Sequence, residues 1–308
     1  MKMSEWSSRF ARAVTSFWPG SSDRKGDSDS SMSEAPVYYT IETCMATDIG
    51  CVRTSNQDSI AFVSPGDPEE LRRRGVLAVV ADGMGGHNGG EVASRVAVET
   101  ICRRYFASHD DDPLRAIEQA LLEANAAIFR YAEADRALSG MGTTATVLAL
   151  IGRRMCFGHV GDSRLYRCSD GQLTQLTKDD TLVEQMVNEG LITAEQARYH
   201  PERNILLRSL GTHPDLRVTA EGGDPPQLGD TFVLCSDGLY DSVEAREIAE
   251  VVEACDPQDA CRRLIELARE RGGSDNISVG VIAVRPPEAE ERPIPVTREM
   301  ILDPAEGR

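Results

Sequence analysis

The chain of 308 residues is short of positive charge: 33 lysines and arginines stand against 50 aspartates and glutamates, for a net charge of −17. That balance argues against nucleic acid or an anionic membrane as the main partner. No apolar run is long enough to span a bilayer, and the N-terminus lacks the apolar core of a signal peptide. Eight cysteines are present, but none has a neighbour at zinc-ligand or redox-pair spacing. Cys51, Cys156 and Cys235 read as buried or incidental thiols of a reducing cytosol. No cysteine is followed six positions on by arginine, so the Cys-x5-Arg phosphate cradle is excluded. Neither a G-x-x-x-x-G-K nucleotide loop nor a G-x-S-x-G elbow occurs. The composition leads us to expect a cytoplasmic protein without stable membrane insertion.

Aspartate, by contrast, recurs in a pattern. Asp82-Gly83, Gly161-Asp162-Ser163 and Asp237-Gly238 each follow a short apolar run of the kind that forms a buried strand, and Asp275-Asn276 follows a glycine pair. Singly, an Asp-Gly after a strand marks a turn. Gathered at one sheet edge, such carboxylates repel unless a cation sits between them. The candidate ligands are all hard oxygens, which selects Mg²⁺ or Mn²⁺ over zinc.

Residues 1–35 are rich in serine and aspartate and read as a disordered segment. Within them Trp6, Phe10, Val14 and Phe17 recur at roughly helical spacing, the pattern of a short docking helix or of a tail with a few apolar residues. Residues 286–308, rich in proline and glutamate, read as a loose tail. Between them, 36–285 carries strand-like segments at 38–47, 59–63, 76–81, 144–151, 155–160, 164–168, 172–175, 231–235 and 277–284. Helical patterns cover 91–106, 113–134, 245–252 and 260–269. Helices grouped between blocks of strands predict an α+β fold with helices outside antiparallel sheets. The polar stretch 178–220, with capping-box spacing at Thr181 and Thr193, reads as an insertion that borders the site.

Two further segments supply what an acidic cluster lacks. The stretch from Thr47 to Asp58 places Arg53 and Asp58 in one connection between strands. The glycine-rich turn from Asp82 to Glu91 carries His87 and lets backbone approach a metal or phosphate, so that the Gly83 carbonyl is itself a candidate ligand.

The ordered blocks T-D-x-G-x-x-R-x-x-N-Q-D, D-G-M-G-G-H, G-T-T, V-G-D-S-R, S-D-G-L and G-S-D-N resemble those of the metal-dependent serine/threonine protein phosphatases (the PPM family, type two-C), closest to their bacterial branch. The resemblance covers residues 40–284. It implies a central antiparallel β-sandwich flanked by helices, a flap insertion, and two Mn²⁺ or Mg²⁺ ions in a cleft at one end. By that resemblance Asp82 bridges the ions, the Gly83 carbonyl binds one, and Asp237 and Asp275 bind the other side of the pair. Asp162, with Asp237, matches the holder of a third, weaker ion. Asp58 matches an acidic position at or just behind the ions. Arg53 matches the arginine that holds the substrate phosphate, and His87 a general acid. The chain departs from the animal pattern at Gln57, where many eukaryotic members have glutamate, and in its D-G-M-G-G-H turn.

The implied reaction is hydrolysis of phosphoserine or phosphothreonine in proteins by a water that two ions bridge and acidify. The implied partners are phosphoproteins and a cognate Ser/Thr kinase, with the chain acting as a monomer. Phosphoryl transfer needs mainly positioning and neutralised charge, and a guanidinium fork matches phosphate better than an ammonium does. A histidine near its ordinary pKa suits protonation of the leaving alkoxide. Two alternatives stay open: a pseudophosphatase, which usually lacks a metal aspartate, and a small-molecule phosphomonoesterase on the same fold.

Overall fold

The structure, a computed structural model, describes residues 8–11, 39–85 and 89–287. His87, Trp6, Val14, Phe17 and the tail from 288 onward lie outside the described residues. In chain order the strands are β1 (Ser8–Ala11), β2 (Thr40–Asp48), β3 (Asp58–Val63), β4 (Val76–Met84), β5 (Gly142–Thr143), β6 (Ala145–Ile151), β7 (Arg154–Val160), β8 (Arg164–Ser169), β9 (Gln172–Gln175), β10 (Thr219–Gly223), β11 (Thr231–Cys235) and β12 (Ile277–Arg285). The helices are α1 (Pro68–Arg74), α2 (Gly89–Ala107), α3 (Pro113–Ala134), α4 (Leu182–Asn188), α5 (Ala194–Arg198), the four-residue α6 (Asp237–Tyr240), α7 (Ala245–Ala254) and α8 (Pro257–Glu270).

The strands build two antiparallel sheets, one ordered β1-β2-β12-β11-β8-β9 and the other β10-β7-β6-β4-β3, with β5 against β4. Each central strand is apolar on both faces because both faces are covered. On β4, Val76, Ala78 and Val80 point into a core shared with Ile41, Phe232, Leu234 and Ile282 of the facing sheet. Leu77, Val79 and Ala81 point the other way, against Ala97 and Ile101 of α2 and Ile117 and Leu121 of α3. The opposite sheet does the same with Val233, Val279 and Val281 under Ile248 of α7 and Leu264 of α8. The result is four layers, helices–sheet–sheet–helices, held by burial worth about 1.5–3 kcal/mol for each large apolar side chain.

Local chemistry fixes several element ends. Asp112 caps α3 by accepting from the Leu114 amide, with Pro113 as the first helical residue. Thr181 caps α4, and Thr193 with Gln196 forms a full capping box on α5.

The structure departs from the sequence reading in several places, among them the unexpected helix α1 (Pro68–Arg74) and Asp58, which opens β3 and is not part of the connection. Ser8–Ala11, inside the stretch read as disordered or helical, form an edge strand paired Ser8↔Ala46 to Ala11↔Thr43, which satisfies the outer backbone groups of β2. The 76–81 strand runs on to Met84, so Asp82 and Gly83 are strand residues and not a turn after one. β10 was not anticipated; its Thr-Ala-Glu-Gly-Gly sequence pairs with β7 at the sheet edge.

Candidate metal centre

Asp82 stands two residues beyond Val80, so the β4 face that fills the inter-sheet core ends in a carboxylate. Its direct cross-strand partner is Asp58, the first residue of β3. Two hydrogen bonds keep this end of β4 in the sheet: the Thr144 amide and the Thr143 hydroxyl both donate to the Asp82 carbonyl at 2.8 Å. From the facing sheet come Ser236 and Asp237, which follow β11, and Asp275 and Asn276, which precede β12. Asp162 lies in the turn between β7 and β8, where the chain crosses from one sheet to the other. Both sheets thus deliver carboxylates to one open end of the sandwich.

The Asp58 carboxylate accepts from the Ser236 hydroxyl through Oδ2 at 2.7 Å, and Ser236 Oγ in turn accepts from the Ser278 amide at 3.0 Å. Asp58 Oδ1 and Asp237 Oδ1 are buried without a hydrogen-bond partner. Asp82 and Asp237 keep partial solvent contact at the mouth, whereas Asp58 and Asp162 are buried. Burial, then Asp58 and Asp237, pushes the Asp82 carboxyl well above the usual range. Burial, then Asp162 and Asp275, does the same to Asp237. Burial raises Asp58 to about 6 against the hydrogen bonds from Ser278 and Ser236. Asp162 is raised to about 7, by burial and then Asp179, with Arg164 opposing.

These aspartates raise one another, and two of their buried oxygens are orphaned, which is the signature of acceptors built for cations. Among the described residues no three acidic, histidine or cysteine groups already close on a common point. The donors are all oxygen, which fits Mg²⁺ or Mn²⁺.

Arg53 reaches the same mouth. Its Nη2 donates to Asp275 Oδ2 at 2.7 Å, and Asp275, Asp237 and Asp82 together hold its charge more firmly. Gly83 must be glycine: a Cβ there would stand 2.0 Å from the Gly90 carbonyl oxygen, where α2 begins. His87 belongs to the undescribed part of that turn.

Four residues at the site escaped the sequence reading. Ser236 and Ser278 hold Asp58, and Asn276 gathers the Arg53 loop. Asp241, one helical turn after Asp237, is raised by burial and pairs with Arg203 at 3.6 Å. The spacing of Asp241 from Asp237 was a visible signal; the serines act across strands distant in sequence and left none. The stretch 178–220 touches the site at several points, among them Leu210, which pairs with Thr143 beside Asp82, and Asp179, which pairs with Arg164. Arg203 makes another contact, and Asp180 a further one, its backbone N–H donating to the Gly161 carbonyl at 2.6 Å.

Residues 52–269 match the family described as Protein phosphatase 2C. The chain is 38% identical over 253 residues to the serine/threonine protein phosphatase PstP of Mycobacterium tuberculosis, an alignment spanning 81% of this chain and 46% of PstP. It is 32% identical over 254 residues to protein phosphatase PhpP of Streptococcus pneumoniae, covering 81% of this chain and 100% of PhpP. A crystal structure of the catalytic domain of PstP in complex with two manganese ions superposes at a TM-score of 0.69 and 37% identity, over 80% of this chain and 98% of that one. The chain therefore spans about half the length of the mycobacterial relative. The match takes in strands of both sheets and the helices that cover them, and the chain belongs to the protein phosphatase 2C family.

Proposed function

We propose that the chain hydrolyses phosphoserine and phosphothreonine in proteins, using two divalent ions held between the sheets, and so opposes a Ser/Thr kinase. The observation that carries this reading is the set of mutually raised aspartates from both sheets, two with orphaned buried oxygens, facing a guanidinium. Asp82, the Gly83 carbonyl, Asp237 and Asp275 would hold the ions, with Mn²⁺ or Mg²⁺ serving, and Asp162 with Asp237 offers a weaker third place. Bound there, the ions would acidify a water to a nucleophile near neutral pH and neutralise charge on the phosphoryl oxygens.

The remaining work falls to the side chains. Arg53 orients the phosphate through its planar fork. Asp58, fixed by Ser236 opposite Asp82, would offer its unpartnered oxygen to the ions. His87 gives a proton to the leaving serine or threonine oxygen. The 178–220 stretch acts as a flap that selects the phosphoprotein, and the chain works as a cytoplasmic monomer. In support, the relatives named above are protein phosphatases, and the PstP catalytic domain holds two manganese ions.

The test is turnover of a phosphothreonine peptide and of a sugar phosphate, each with added Mn²⁺ and with chelator. Metal-dependent release of phosphate from the peptide, far exceeding that from the sugar, supports the reading. Preference for the sugar would mark a small-molecule phosphomonoesterase, and binding of phosphopeptide without turnover a pseudophosphatase.

A further inference from the structure

The loop that carries Arg53 runs from the end of β2 to the start of β3 and projects a half-exposed side chain over the mouth. A guanidinium placed to meet a phosphate is useful only if its loop is held, since fixing each backbone residue costs about 1–2 kcal/mol of conformational entropy. One side chain holds it on both sides of Arg53. Asn276 is 4% exposed and uses its whole amide on the backbone of this loop. Its Nδ2 donates to the carbonyls of Ile49 and Ser55, both at 3.0 Å, so the shoulders on either side of Arg53 are drawn to one point. Its Oδ1 accepts from the Gln57 amide at 2.8 Å.

The same residue is tied to the metal side of the site. The Asn276 amide N–H donates to Asp275 Oδ1 at 2.8 Å while Arg53 donates to Asp275 Oδ2. Its carbonyl lies against Gly238, where a Cβ would come within 2.0 Å of it. The Gln57 carbonyl accepts from the Gly83 amide at 3.1 Å, so the Gln57 peptide links Asn276 to the Asp82-Gly83 corner. Aspartate in this place would lose both donated bonds, and glutamine is one methylene too long for the same reach.

We infer that Asn276 is the positioning residue that sets Arg53 relative to the ion-holding aspartates, by clamping both shoulders of the Arg53 loop. The inference rests on the proposed phosphatase reading for its consequence and on the hydrogen bonds for its geometry. A second tether makes the effect separable from folding. Arg269 Nη1 holds both oxygens of Asp48 at 2.8 and 2.6 Å, and the Cys51 amide donates to the Gly273 carbonyl at 2.7 Å. Loss of Asn276 therefore loosens the part of the loop around Arg53 and leaves its base in place.

The experiment is a double-mutant cycle read by calorimetric binding of inorganic phosphate in Mn²⁺ and by kinetics on a phosphothreonine peptide. Asn276→Ala should raise both the Kd for phosphate and the peptide KM about tenfold, the size of one or two lost hydrogen bonds, with kcat kept within about threefold. In an Arg53→Ala background the same substitution should change the Kd by less than about twofold, because the two residues act as one unit. Equal weakening in both backgrounds, or a fall in kcat with unchanged Kd and KM, overturns the inference. Asn276→Ser serves as the second variant. If neither variant folds, amide exchange in the wild type decides: slow exchange at Gln57 supports the clamp and fast exchange overturns it. A wild type that binds phosphate yet cleaves no phosphopeptide overturns the phosphatase reading and leaves the cycle readable.

Discussion

Arg53 and Asp275 share a hydrogen-bonded ion pair of 2.7 Å at the mouth of the sandwich, so the group suited to hold a phosphate is already engaged with a carboxylate suited to hold a metal. If Asp275 held an ion, Arg53 would lose this partner and would be free to meet a phosphate. Both side chains are substantially exposed, so the pair itself adds little stability. Arg53→Ala should raise KM for a phosphothreonine peptide by roughly ten- to hundredfold, as a lost charge-assisted phosphate contact does, with the fold unaffected. Unchanged KM and kcat would show that the pair serves the loop alone.

Asp82 and Asp237 should behave as parts of one coupled centre. Asp82→Asn and Asp237→Asn are each expected to abolish turnover by several orders of magnitude, and the double variant to do hardly worse. In chelator each variant should melt above the wild type, because a carboxylate has left a repelling cluster. With Mn²⁺ at about 100 times its Kd the wild type should gain about 2.7 kcal/mol and the variants much less. Scanning calorimetry in both conditions checks the crossover.

The raised carboxyls fix the sign of a pH dependence. In the metal-free fold Asp58 titrates at about 6 and Asp162 at about 7. An unfolded aspartate titrates at about 3.9, so the folded state binds their protons more tightly. Their contribution is complete below about pH 4 and is lost as pH climbs through about 6 to 7. Metal-free protein should therefore lose thermal stability from these groups over that window, and Asp58→Asn should flatten the slope. A melting temperature that rises equally in wild type and Asp58→Asn contradicts this assignment.

The 178–220 stretch is tethered at Gly161, beside Asp162, and at Asp241, beyond Asp237. Shortening it between Asp180 and Arg203 should lower kcat/KM for a phosphoprotein while sparing p-nitrophenyl phosphate. Equal losses on both substrates would mean that it props up the centre and does not select.

Much of this architecture could be read from the chain because its central strands are apolar on both faces. Runs such as Leu77 to Ala81 and Phe232 to Cys235 leave no ambiguity about burial, and the aspartates at their ends stand out against them. What stayed hidden depends on partners far along the chain. Asp82-Gly83 has the local chemistry of a turn, and it is a strand because Thr143 and Thr144 bond it there. β10 has little local strand propensity and is extended because β7 offers it an edge. Nothing local marks this role of Asn276, whose amide bonds Ile49, Ser55 and Gln57, all more than 200 residues earlier in the chain.

The carboxylates do not belong to one wall. Asp58 and Asp82 ride on one sheet, Asp237 and Asp275 on the other, and the apolar core between those sheets stops where they begin. Ions gathered there would act as the clasp of a book whose pages are held elsewhere mainly by apolar contact. Shear of one sheet past the other would be resisted at this margin more than at any other. Catalytic competence and the mechanical closure of the sandwich would then be a single property, gained and lost together as the clasp fills and empties.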